Sequence, residues 1–248
     1  MHYYIRTNIV FKQEIKELII ADLVLTLAFS LVMVGGIGGL AYSFGVFLYF
    51  FPISFIAVSL SFILHEMMHK FTAEKYGAIA GFRTSPYGLA ITLLTSFFGF
   101  LFGIPGATMI YTNSFTRRED GIVSLAGPLT NFTIFIFSLI IGVIFFPHFL
   151  SNVLLTFSTN TVYKLSFVQN MLNMILFISI VVAFFNMLPI FPLDGSKILR
   201  WSKPIYFTTL LATFIFFLLV IPIISFIIWL FFMLLIAYIF STFYRGIF

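Results

Sequence analysis

The stretch Phe44-GVFLYFFPISFIAVSLSFILHEMM-His69 decides how this chain folds. From Phe44 to Leu64 it carries no charged residue. At about 1.5 Å per residue, such a run as a helix is long enough to cross the ~30 Å hydrocarbon core of a bilayer. It ends on His65-Glu66-Met67-Met68-His69. Histidines four apart lie on one helix face, so both imidazoles can reach a single metal ion. Glu66, between them, stands where a carboxylate can take a proton from an attacking water. An ionisable residue inside a membrane span costs about 2.5–3.5 kcal/mol on insertion scales, so a cluster this dense demands a function.

The rest of the composition agrees. The chain has 248 residues, is 61% hydrophobic with 37 phenylalanines, and is only 8% charged. A soluble domain of that size could not hide so much apolar surface, which implies a multi-span helical membrane protein. Continuous apolar runs, rather than alternation, exclude an outer-membrane barrel. Residues Met1 to Ile9 show no cleavable signal-peptide pattern, and the first apolar run starts at Leu18. There is no cysteine, which excludes disulfides and a thiolate zinc site. The net charge of +5 reads as cytoplasmic loops meeting anionic headgroups, so lipid is the expected partner and nucleic acid is not.

Apolar segments fall near 18–35, 40–68, 88–112, 122–146, 170–190, 205–222 and 224–243. Gly35, Gly36, Gly38 and Gly39 mark a tight turn between the first two. With Arg6, Lys12 and Lys16 cytoplasmic, the second span returns to the cytoplasm at Lys70, Lys75 and Arg83. If segment 88–112 dips in and returns, then Arg117, Arg118, Lys197, Arg200, Lys203 and Arg245 are cytoplasmic too, leaving Lys164 as the only basic residue outside. The expectation is an all-α polytopic membrane protein with about six transmembrane helices plus a re-entrant segment near 88–112. Its amino terminus is cytoplasmic and its site faces the cytoplasmic side of the cell membrane. Gly88, Gly99, Gly103, Pro105 and Gly106 suit a straight helix poorly, and broken backbone at membrane depth survives only against protein or a water-filled cavity. The segment is therefore expected to line the site, with Gly103, Pro105 and Gly106 flanking a substrate or water path. No repeat or linker divides the chain, so residues 1–248 read as one domain with a motif-bearing core at about 40–200.

A catalytic zinc takes three protein ligands and leaves one position open. His2, His148 and several carboxylates are candidates for the third. Glu74 falls on the opposite helix face from His65 and His69, and Glu119 with Asp120 reads as a helix-start charge pair. Asp194 stands out, because Asn186-MLPIFPL-Asp194-Gly195 places an aspartate beside two helix-interrupting prolines at the end of an apolar segment. The alternative is a cap for a helix beginning near Ser196. With the histidine pair upstream, the ligand reading is preferred.

His65-Glu66-x-x-His69, Asn186-x-x-Pro189-x-x-Pro192-Leu193-Asp194-Gly195 and the intervening Gly127-Pro128-Leu129-Thr130-Asn131 together resemble the site-2 protease family of intramembrane zinc metalloproteases, in its compact archaeal or bacterial form. The motifs occur in the family's order between residues 65 and 195. The resemblance implies one Zn2+ per chain on His65, His69 and Asp194, Glu66 as acid and base, and a polar contact from Asn186 to the developing oxyanion. Read from chemistry alone, Asn186 serves equally well to satisfy helix carbonyls freed by Pro189. Asn131 sits behind the site or bridges helices, and Gly127 permits close helix packing. The implied activity is endoproteolysis in or near the transmembrane helix of a membrane-protein substrate. A metal transporter or sensor could use the same ligands, but the segment after residue 205 offers few polar groups for a through-path. The sequence leaves the oligomeric state open.

Overall fold

The computed structural model describes residues 2–112, 115–155, 165–221 and 227. It is mainly helical, because the long apolar runs can satisfy their backbone polar groups only within the helix itself. Helix α1 (His2–Met33) is followed by the short α2 (Gly36–Tyr42), bent from it by 71°. The bend falls at Gly35 and Gly36, whose φ values of 84° and 77° lie in the left-handed region. Helix α3 (Phe44–Val58) passes through one wide π turn (Ser59–Ile63) into α4 (Leu64–Lys75), which carries His65, Glu66 and His69. Such turns occur often at functional sites. This one is held on two sides: Ser59 donates to the buried Asp22 carboxylate at 2.8 Å, and the Ser61 and Ser179 hydroxyls meet at 2.7 Å.

The expectation of a purely α fold needs correction. Strand β1 (Ile79–Thr84) pairs antiparallel with β2 (Gly106–Tyr111), from Ile79 opposite Tyr111 to Thr84 opposite Gly106. Between them, α5 (Pro86–Phe97) starts on Ser85, whose hydroxyl accepts from the Gly88 amide, with Pro86 at the first helical position. The chain then turns at Gly99 and Gly103, and the Ser85 amide donates to the Pro105 carbonyl at 2.9 Å. Segment 86–105 thus begins and ends at the same hairpin. Its first part is the helix α5, and an irregular glycine-containing stretch brings the chain from Phe98 back to the start of β2 at Gly106.

The outer edge of β1 is closed by carboxylates of α1. Glu14 accepts the Phe82 amide at 3.2 Å and pairs with Lys70 of α4. Glu17 accepts the Thr84 amide at 2.8 Å and pairs with Arg83 at 2.8 Å. Capping an edge with side chains prevents stray strand pairing, and here it also fixes the hairpin against α4.

Helix α6 (Arg117–Phe145) opens with a capping box in which Thr116 and Glu119 satisfy each other's amides. Helix α7 (Phe149–Leu155) follows, then α8 (Phe167–Asn186), opened by a second capping box from Ser166 and Gln169. A folded-back loop leads to α9 (Asp194–Trp201) and α10 (Lys203–Val220). Helix α6 packs against α4, α8 and α9. One core joins Leu25, Phe29, Ile53, Phe62, Phe82 and Ile178; another stacks Phe135, Phe149, Phe184 and Phe217 between α6, α7, α8 and α10. Four described helices are long and apolar enough to cross a membrane, or five if the bent α1–α2 pair is one span. Of the seventh apolar segment, 224–243, all but residue 227 lies outside the described residues.

Replacing Glu14 by alanine removes the carboxylate that Lys70 and the Phe82 amide share. Breaking a buried pair of this kind costs about 3–5 kcal/mol. The substitution is expected to lower the thermal midpoint of the detergent-solubilised protein by several degrees, read by scanning fluorimetry.

Candidate metal centre

Helix periodicity places His65 and His69 on one face of α4, and both rings are buried, at 2% and 7% exposure. The rings stand 4.6 Å apart and nearly perpendicular. His69 Nδ1 lies 2.8 Å from the Val123 carbonyl of α6, so its proton is used there and the Nε2 lone pair is left free. The two Nε2 atoms approach to 3.0 Å. Asp194 Oδ2 completes the triangle, 3.3 Å from His65 Nε2 and 3.2 Å from His69 Nε2.

Asp194 reaches that position because the loop after α8 doubles back. A Cβ at Gly195 would run into the Met187 carbonyl, so the loop closes tightly only around glycine. The aspartate stands at the start of α9, yet no side chain caps that helix, and its carboxylate points to the histidines instead of the helix amides. Helix α6 passes immediately beneath the pair. A Cβ at Gly127 would meet the Nε2 atoms of both histidines.

This donor set fits zinc. Tetrahedral coordination with bonds of ~2.0–2.1 Å puts ligand atoms roughly 3.3 Å apart, and the three observed edges are 3.0, 3.2 and 3.3 Å. Two imidazoles and one carboxylate make up a common zinc ligand set and leave one coordination position open. Among the described residues this is the group of histidine and acidic side chains gathered closely enough to hold an ion.

The group lies in a cleft of about 80 Å³, bordered by Glu66, Thr108, Ser124, Asn186 and Lys197. Glu66 is turned toward β2, where Thr108 binds its carboxylate. Asn186 borders the cleft, but one of its amide hydrogens goes to the Val182 carbonyl at 3.0 Å, one turn back in its own helix. Asn131 is fully buried on α6 and does not border the cleft; neither of its side-chain polar atoms has a partner among the described residues. Of the three loop residues expected beside the site, Gly106 borders the cleft, whereas Gly103 and Pro105 do not, and Ile104 does. Sequence reading missed Thr108 and Val123. Val123 contributes only a carbonyl, which no side chain announces. Gly127 was expected to allow helix packing, and the helix partner it touches is the histidine pair.

The profile of peptidase family M50 matches residues 53–226, more than half of the chain. The chain belongs to peptidase family M50. This is the site-2 protease family, and it makes the chain a membrane-embedded zinc metalloprotease. Over 157 residues it is 40% identical to "Putative zinc metalloprotease MJ0611" of Methanocaldococcus jannaschii, covering 63% of this chain and 73% of that one. It is 28% identical to "Zinc metalloprotease MJ0392" of the same organism over 61% of this chain, which spans about a third (34%) of that protein's length. It is 27% identical to "Putative zinc metalloprotease YwhC" of Bacillus subtilis, over 62% of this chain and 70% of that one. No solved structure matches the chain.

In this M50 protein the closeness of α6 to the histidines supplies a test. Gly127→Ala is expected to weaken zinc retention by roughly 10–100-fold, as displaced ligands or their supports typically do. Elemental analysis after titration with a chelator measures this, beside a melting curve showing that the variant folds.

Proposed function

We infer that the chain is an intramembrane endopeptidase that cuts peptide bonds in or near the transmembrane helices of membrane proteins. His65, His69 and Asp194 hold one zinc, and Glu66 serves as acid and base. The convergence of the three donor atoms within 3.3 Å of one another, in a cleft shared with Glu66, carries this reading.

When bound, zinc supplies a Lewis acid that polarises the scissile carbonyl and lowers the pKa of its water to about 7. Glu66 takes a proton from that attacking water and returns it to the leaving amine. The free hydrogen of the Asn186 amide is available to the oxyanion, its other hydrogen being held by Val182. Val123 keeps His69 in the tautomer that offers Nε2.

Topology follows from the basic residues. The amino terminus is cytoplasmic, α1–α2, α3–α4, α6, α8 and α10 cross, and segment 86–105 dips and returns; the further span expected from the sequence, 224–243, lies outside the described residues apart from residue 227. The hydrogen-bonded ends of segment 86–105 support the dip. The site residues of α4 and α6 lie six to ten residues from the cytoplasmic ends of those helices, hence about 9–15 Å along them from that side. Its product is then a fragment released toward the cytoplasm. The whole chain acts as one domain.

A helical substrate hides its amides in its own hydrogen-bond ladder, so it must unwind locally before attack. The amides of Phe82 and Thr84 face α1, away from β2. Antiparallel alternation then turns the amides of their partners, Thr108 and Gly106, outward on the other edge. Gly106, Thr108 and Ile110 all border the cleft, so the outer edge of β2 is placed to take an unwound substrate strand. Gly106 itself leaves no space for a side chain against Phe82 and the Arg83 carbonyl, so a bulky residue there disturbs the hairpin before any path.

Glu66→Gln is expected to retain zinc and lose roughly 10²–10⁴-fold in cleavage rate. Undiminished cleavage by that variant, with zinc bound, would sink the acid–base assignment.

A further inference from the structure

Thr108 lies on β2 opposite Phe82. Its amide donates to Glu66 Oε2 at 2.9 Å, and its hydroxyl lies 2.7 Å from the same oxygen. That hydroxyl also stands 3.1 Å from the Glu66 main-chain carbonyl, so its single hydrogen is shared between the nearer carboxylate oxygen and the backbone of the same residue. Among the described residues, no other group donates to the Glu66 carboxylate. The grip is backed from behind: Phe82, across the ladder from Thr108, gives its amide to Glu14, which also binds Lys70, the residue after His69. The hairpin is therefore fixed to α4 on both sides of His69, at Glu66 and at Lys70.

We propose that Thr108 is the positioning residue of Glu66 and that its two donors are divided between base and substrate. This rests on the reading that substrate adds to the outer edge of β2. A strand docked there claims the Thr108 amide, because that amide is one of the outward-facing donors of the edge. The amide bond to Glu66 is then given up, and the hydroxyl alone keeps the carboxylate in the cleft. A glutamate freed from both donors would spread over its rotamers and lose its alignment with the attacking water. The hydroxyl therefore matters after substrate is bound, which assigns its effect to kcat and not to KM.

The test uses the full chain, purified in detergent and loaded with zinc. The probe is a model transmembrane peptide with a central Asn-Pro pair, labelled at both ends. Thr108→Val keeps the shape and the amide but lacks the hydroxyl, and Thr108→Ser restores the hydroxyl. The valine variant should lose roughly 10–100-fold in kcat with KM within about twofold and zinc content unchanged, and serine should recover most of the loss. A valine variant with normal kcat overturns the proposal, as does an effect confined to KM, a loss of zinc, or a serine variant as poor as valine. A second readout needs no cleavage: the Thr108 amide should exchange its hydrogen at least ~10-fold more slowly in the wild type than in Glu66→Ala. Equal exchange rates overturn the proposal. Wild-type protein that leaves the peptide intact counts against the proposed function, and the exchange result then decides on Thr108 separately.

Discussion

Backbone and side-chain polar groups within a membrane have no bulk water to bind, so each must find a partner inside the protein. That constraint accounts for more of this structure than any single contact. It makes the apolar runs helical, and it accounts for the pairing of β1 with β2 on either side of segment 86–105. It also explains why Glu14 and Glu17 of α1 turn inward to close the free edge of β1, where an open edge would be costly. The wide turn before His65 obeys the same rule, with Ser59 on Asp22 and Ser61 on Ser179.

At the metal centre, polar atoms converge beyond what such pairing requires. Two imidazole nitrogens and a carboxylate oxygen meet within 3.3 Å of one another, enclosed by α4, α6 and α9. A divalent cation turns that arrangement from a costly cluster into a satisfied one. The surrounding fold then has two tasks. Helix α6 must come close, which Gly127 allows, and must orient His69, which the Val123 carbonyl does. The hairpin must bring a strand edge and Glu66 to the same cleft, which Thr108 does.

Much of this could be read from sequence because it is periodic. Four-residue spacing on a helix carries the closeness of His65 and His69, and uninterrupted apolar runs carry the helices on which the site is built. Asp194 could be singled out because prolines break the backbone beside it. The strands could not be read, since β1 and β2 are short, far apart in the chain and lack clean apolar alternation; their pairing is set by the closure of segment 86–105. For the same reason the glycine content of that segment hid the helix α5 within it. Val123 acts through its backbone, and Thr108 through a register that exists only once the hairpin has formed. Both depend on tertiary placement that no local pattern encodes.

A zinc ion on His65, His69 and Asp194 would join two distant motifs, one on α4 and one at the start of α9, in a single site. Its most direct test is the zinc content of the detergent-purified protein, wild type beside Asp194→Ala, by elemental mass spectrometry. About one zinc per chain in the wild type, lost or much weakened in the variant, is the predicted result. Equal, tightly held zinc in both would contradict it, because the ion would then be bound without the aspartate.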